Sequence, residues 1–492
     1  MGKKNIWLRR GTQALFLVLW IFLFWATAHP SASPLPPDLF LSTNPLVAIL
    51  TMVTARVFVP AMLGGLVLMG LTILFGRFFC GWVCPLGTVL DIFGRLWVGK
   101  KEKELKNDIQ WRRFKYYLLV VFAIAALFGG QLLFLADPLV LSFRAVTVGI
   151  VPTAPGEVSI LPLLLLLGVI ALTGVTHRFW CRYLCPLGAF YAALSHFAVF
   201  RRKHVGCDRC KGFDARQCQV SCAMHCSVMK QEVPGECVRC MACEAVCPKE
   251  SLSFVPKKPV PSRREALVGL DRRTFVMSAG MGAAAGLATL HARAGQMTES
   301  RMVRPPMVPN ETVFLSLCVR CGQCIESCPS GTLQPLFLEA GFSGMWSPAV
   351  TPRVEGCVDN CNACSVACPT GAIPEFGPTR KEKWGFKMGS VTFASHRCIT
   401  YADDAVKPCL ECVEVCPNRA IVIDKKAHPE RPAKVIYDQC VGCGRCETAC
   451  AKMVAGEPAM KLNANGVGYP ALLVADPTPI NQLNKKTSEN NG

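Results

Sequence analysis

Hydrophobic residues along this 492-residue chain are bunched. Apolar stretches occupy residues 14–28, 57–76, 116–135 and 160–174, and polar, cysteine-dense sequence follows from Cys207. A helix needs about 20 residues to cross a hydrocarbon core of about 30 Å, so each stretch predicts a spanning helix once its flanks contribute a few residues. Buried helices of a soluble protein are the alternative, and four in succession with charge-rich flanks argue against it.

The polar positions between these stretches predict orientation. Lys3, Lys4, Arg9 and Arg10 precede the first, whereas residues 29–50 contain no Lys or Arg. The next connection carries Arg95, Lys100, Lys101, Lys103, Lys106, Arg112, Arg113 and Lys115; the one after it has Arg144 alone; and Arg178, Arg182, Arg201, Arg202 and Lys203 follow the fourth. The positive-inside bias then places both ends of the four-helix unit in the cytoplasm. A repeat lies within the unit. Arg77-Phe-Phe-Cys80-x3-Cys84-Pro85-Leu-Gly87 is echoed by Arg178-Phe-Trp-Cys181-x3-Cys185-Pro186-Leu-Gly188, and Asn44-Pro45-Leu46-Val47 by Asp137-Pro138-Leu139-Val140. A duplicated helix hairpin in parallel orientation follows, with matched features at each surface. Arg56 and Asp137 fall near the outer face and are read as interfacial residues ahead of quinone ligands.

The 29 cysteines change the picture most. The spacing Cys318-x2-Cys321-x2-Cys324-x3-Cys328-Pro329 is that of bacterial ferredoxins, in which three cysteines bind one 4Fe–4S cluster and the fourth reaches a partner cluster. Short spacers let three thiolates converge on one face of a compact core. Cys237, Cys240, Cys243 and Cys247 repeat the pattern, as do Cys440, Cys443, Cys446 and Cys450; Cys357, Cys361, Cys364 and Cys368 carry one extra residue, and Cys398, Cys409, Cys412 and Cys416 a displaced first cysteine. A sixth run takes Cys207, Cys210, Cys218 and Cys222, or ends on Cys222 and Cys226; the first choice is preferred and leaves Cys226 over. Zinc sites usually pair two CxxC arms across a spacer, whereas these are single tight runs, so six 4Fe–4S clusters are expected. Cys80/Cys84 and Cys181/Cys185 are i,i+4 pairs that the repeat brings together as a candidate membrane-edge redox site; inert interfacial cysteines are the alternative.

Between the cysteine regions, a Pro- and Lys/Arg-rich linker leads to Asp271-Arg272-Arg273-Thr274-Phe275, a mildly apolar run and Ala292-Arg293-Ala294. These are the parts of a twin-arginine export signal, and an internal one is able to remain as a further anchor. Such a route suits a domain that must cross folded around clusters built in the cytoplasm. Gly280, Gly282 and Gly286 have the wrong spacing for a nucleotide loop. The formal charge of +19 would suit nucleic acid, but many basic residues flank the apolar spans and no recognition motif is present, so no nucleic-acid partner is expected. There is no CxxCH haem motif and no nicotinamide or flavin site, which favours a membrane-embedded donor.

Residues 1–250, through the two CxxxCP motifs and the cysteine-dense end, resemble the membrane quinol dehydrogenase ferredoxin protein NapH. Residues 268–475, through Arg272-Arg273 and four cysteine runs, resemble the ferredoxin-type proteins NapG and MauM, normally separate from NapH. The resemblance implies quinol oxidation at the bacterial inner membrane, with the quinone pool on one side and a periplasmic reductase or multihaem cytochrome on the other. The expected fold is a polytopic α-helical membrane domain plus α+β ferredoxin-type domains, one two-cluster and one four-cluster. Its parts are a membrane domain (1–200), a cytoplasmic two-cluster domain (201–255), the linker and internal signal (256–295), a periplasmic four-cluster domain (296–475) and a disordered tail (476–492). The protein is then a quinol dehydrogenase component, an electron carrier more than a terminal catalyst. The rival reading is a redox factor for maturation of a periplasmic metalloenzyme, and a redox-sensing transcription regulator is a weaker third.

Overall fold

A computed structural model describes residues 2–28, 35–97, 108–148, 160–204, 218, 221–226, 234–247, 252–256, 270–296, 302–308, 310–352, 355–401, 409–423, 432–454, 456–464 and 467. Cys207, Cys210, most of the linker and the tail lie outside them. The chain forms two compact units, the first taking residues 1–150, 159–291 and 316–321, the second the remainder.

The first unit is helical. After α1 (Gly2–Ala28) come α2 (Pro45–Ala55), α3 (Gly64–Phe75), a single turn at Phe79–Trp82 and α4 (Pro85–Trp97). Then α5 (Asp108–Leu127) is followed by the second copy of the pattern: α6 (Pro138–Thr147), α7 (Leu161–Leu172), a π-helical turn at Trp180–Leu184 and α8 (Pro186–Ser195). All four of α2, α4, α6 and α8 open on proline, whose missing N–H costs nothing at the first position. Asn44 Oδ1 accepts from the N–H of Leu46 (3.1 Å) and Val47 (3.3 Å), and Asp137 Oδ1 accepts from Leu139 (3.0 Å) and Val140 (3.1 Å). Asn44 Nδ2 also donates to Asp137 Oδ2 at 2.9 Å, so the two caps meet. The repeat in the sequence is thus a repeat in space.

Among the described residues two helices are long and apolar enough to cross a membrane, Asn5–Ala28 and Arg272–Ala292. The stretches 57–76 and 160–174 form α3 and α7, each 12 residues and about 18 Å long, short of a full span by themselves. Their apolar side chains nevertheless point outward: Leu66 and Val67 on α3, and Leu164 and Leu167 on α7, are at least half exposed. Inside the unit, Arg77, Arg178, Lys115 and Glu236 are fully buried.

The sequence read as an export signal is α9 (Arg272–Gln296), packed alongside α5. A Cβ at Gly282 would stand 2.7 Å from Val121 O, and one at Gly286 would stand 2.6 Å from Phe128 Cβ, so this small-x3-small pair lets the backbones approach. Asp271 N–H donates to Tyr117 Oη at 3.0 Å, which makes α9 run parallel to α5. Strand β1 (Phe200–His204) pairs antiparallel with β2 (Leu252–Pro256).

The second unit is built of short helices and two-stranded ribbons, β3 (Leu333–Pro335) with β4 (Pro348–Val350), β5 (Ser390–Phe393) with β8 (Met460–Asn463), and β6 (Ile421–Ile423) with β7 (Pro432–Val435). Short helices at Gln323–Glu326, Ala363–Val366, Glu411–Glu414 and Arg445–Met453 each carry the third cysteine of a run.

Candidate functional site

Three runs share one backbone device. Residues on either side of the middle cysteine adopt left-handed φ: Arg239 (55°) and Met241 (57°), Arg320 (56°) and Gly322 (84°), Gly442 (76°) and Gly444 (78°). Left-handed steps alternating with ordinary ones turn successive N–H groups inward, a concavity suited to an anion. Glycine takes this φ freely; Arg239, Met241 and Arg320 take it at a cost that the site must offset.

The runs then exchange partners. Cys440, Cys443 and Cys446 line one pocket together with Cys416, the last cysteine of the preceding run. Cys398, Cys409 and Cys412 line another with Cys450. The rest of the first lining is mostly apolar, including Val391, Ile421, Val435 and Val441. Cys328 lies within electrostatic reach of Cys357 and Cys364. Backbone amides meet the exchanged sulfurs: Ala420 N–H donates to Cys416 Sγ (3.2 Å), Ala459 to Cys450 (3.3 Å) and Ile373 to Cys368 (3.5 Å). Burial and neighbouring thiols push Cys443 and Cys412 up to about 12. Bare thiolates are therefore disfavoured, and a cationic core is what would hold them ionised.

In the first unit Cys226 stands against Cys222, and Cys237 acts on the thiols of both Cys226 and Cys240. The residue left over in the sequence is thus drawn into the neighbourhood of the Cys237 run. Cys218 is partly exposed, and Cys207 and Cys210 lie outside the described residues. Cys80, Cys84, Cys181 and Cys185 are all buried, and Cys80 is within electrostatic reach of the other three. Arg56 is exposed at the left-handed end of α2, whereas Asp137 is fully buried as a helix cap.

Zinc draws four thiolates to about 2.3 Å from one centre. An iron–sulfur core is a larger body with thiolates at its corners, and apolar voids ringed by four thiols from two runs fit it. Clusters held there supply one-electron redox chemistry.

Exchanged fourth thiols, inward-facing amides and apolar linings define an iron–sulfur protein of the bacterial ferredoxin type. A 4Fe-4S dicluster domain model matches residues 407–454, and 4Fe-4S binding domain models match 311–334 and, as a pair, 57–104 and 158–206. The chain is 31% identical over 221 residues to the methylamine utilization ferredoxin-type protein MauM of Methylorubrum extorquens, covering 43% of this chain and 93% of that protein. It is 35% identical over 231 residues to MauM of Methylobacillus flagellatus (45% and 92%) and 30% identical over 214 residues to the ferredoxin-type protein NapG of Escherichia coli (42% and 87%). This chain belongs to the family of the ferredoxin-type proteins MauM and NapG. No solved structure matches it.

Proposed function

We propose that the chain is a membrane-bound electron carrier that takes electrons from quinol and passes them through 4Fe–4S clusters to a protein outside the cytoplasm, a NapH-like membrane portion and a NapG-like portion joined in one polypeptide. The observation that carries this reading is the placement of two cysteine loops along α5. Near its middle, Lys115 Nζ and Tyr116 Oη donate to Glu236, the neighbour of Cys237, at 2.5 and 2.6 Å. Past its C-terminal end, Arg320 Nη1 donates to Gln131 O at 2.8 Å, and Thr147 Oγ1 donates to Cys321 O at 3.2 Å. Residues 116 and 127 of the helix are about 16 Å apart along its axis, and the connection to Gln131 adds to this. The apolar second half of α5 lies between the two cysteine loops, which supports clusters held apart along that helix. The outward-facing leucines and valines of α3 and α7 and the buried charges suit lipid surroundings. Parallel packing puts Arg272 and Arg273 near Tyr117, toward the half of α5 that carries Lys115, the side the positive-inside bias makes cytoplasmic.

Quinol would release two electrons and two protons on becoming quinone, with the electrons leaving singly. About six clusters would serve as carriers, with Cys328, Cys416 and Cys450 each completing a neighbour's set. A periplasmic reductase is the acceptor this reading favours. The MauM relatives favour a second destination, a periplasmic enzyme whose maturation consumes electrons. Anaerobic protein in detergent, mixed with quinol and then with each class of soluble acceptor, tests both: reduction by quinol supports the carrier, and the protein that reoxidises it names the destination.

A further inference from the structure

The two halves of the repeat are cross-braced at their cysteines. Arg77 Nη2 donates to Cys181 O of the second copy at 3.1 Å, and Arg178 Nη1 donates to Cys80 O of the first at 3.1 Å. Arg77 Nε also donates to Cys80 Sγ at 3.5 Å. Gly188 N–H donates to Cys185 Sγ at 3.2 Å, at the opening turn of α8. Each half alone offers two thiols, too few for a cluster, yet each half separately matches a 4Fe-4S binding domain. Together the halves enclose four.

Charge points the same way. Asp91 is shared by Arg178 (2.6 and 2.8 Å) and Arg9, and Glu236 by Arg77 (3.1 Å) and Lys115 (2.5 Å). Each triad holds two cations and one carboxylate, hence one excess positive charge, two in all, with every member at most 4% exposed. Uncompensated buried charge is costly. Four thiolates around a dicationic iron–sulfur core carry about −2, a charge these cations would share with the thiolates of the Cys237 loop, whose Cys240 acts on Arg9 and Arg178. Tyr191 adds an independent sign. It is fully buried, its hydroxyl has no hydrogen-bond partner among the described residues, and Cys80, Cys84 and Cys185 are all within electrostatic reach of it.

We infer that Cys80, Cys84, Cys181 and Cys185 form one four-thiolate iron–sulfur site shared by the two repeat halves, with Arg77 and Arg178 as its counter-charges and Tyr191 as a hydrogen-bond donor to its sulfur. Its exit is the cluster loop at Cys237. A Cβ on Gly81 would stand 2.2 Å from Val238 O, and Trp82 Nε1 donates to Arg239 O at 2.9 Å, so the Cys80 turn lies directly on that loop. Glycine at position 81 is what lets it do so.

The inference rests on the iron–sulfur part of the proposed function and not on quinol, and neither readout below uses quinol. In the wild-type full chain, diffraction at the iron edge should place an anomalous peak among the four Sγ atoms. In Cys84→Ser/Cys185→Ser, iron and acid-labile sulfide should fall together by one cluster's complement, with the electron paramagnetic resonance signals of the remaining clusters unchanged. Absent iron density, a zinc-edge peak in its place, or unchanged iron and sulfide in the variant would overturn it. If the variant fails to accumulate, the wild-type density alone decides.

Discussion

Glu236 and Arg77 form an ion pair of 3.1 Å with neither side chain exposed, tying the residue before Cys237 to the residue three before Cys80. Lys115 and Tyr116 bind the same carboxylate, whose pKa is held well below the usual range because Lys115 and Arg77 outweigh its burial. In Glu236→Gln the cations lose their counter-charge, and removing one partner of a buried pair costs about 3–5 kcal/mol. The variant should lose cluster absorbance at a clearly lower temperature than wild type when melted in detergent under anaerobic conditions.

The fold makes two nearby glycines unequal. Gly280 has nothing within 4 Å of a Cβ, whereas Gly286 is closed off by Ala125 and Phe128. Gly286→Leu should separate α9 from α5 and lower both yield and thermal stability, while Gly280→Leu should leave both near wild type. Equal behaviour of the two in a melting series would mean that the helices do not pack in this way.

Fourth-ligand exchange predicts a pattern in double variants. Cys416→Ser with Cys443→Ser touches one set and should remove one cluster's iron; Cys416→Ser with Cys412→Ser touches two and should remove twice as much. Iron and sulfide assays after reconstitution check this. The reverse ranking would restore each cysteine to its own run.

How much of this was legible in the chain follows from sequence distance. The ferredoxin runs were readable because three ligands lie within seven residues, a spacing local geometry imposes. The partners of Cys416, Cys450 and Cys328 were not, since they are set by packing between runs. Cys226 was left over because neither Cys222 nor Cys226 is followed by a proline that would choose between them, yet it lies beside Cys222 and Cys237. The CxxxCP repeat was legible as a repeat, but the crossing of Arg77 and Arg178 onto each other's cysteine backbones, and the carboxylates that hold them, required the folded pair. Asp137, read as interfacial, is a cap that binds the matching cap Asn44. Stretches 57–76 and 160–174 looked like single spans, but a break at residues 60–64 and an onset at Leu161 leave 12-residue helices.

Topology has its own test. Reporter fusions after Pro256 and after Pro305 should read cytoplasmic and periplasmic respectively, and Arg272→Lys/Arg273→Lys should turn the second reading cytoplasmic. Two cytoplasmic readings in the unaltered chain would place all the clusters in one compartment.

The account turns on electrons entering from quinol. Anaerobically purified, oxidised full-length protein in detergent should lose its visible cluster absorbance when reduced ubiquinol or menaquinol analogues are added, in proportion to the quinol consumed. Clusters that dithionite reduces fully but neither quinol reduces at all would contradict it.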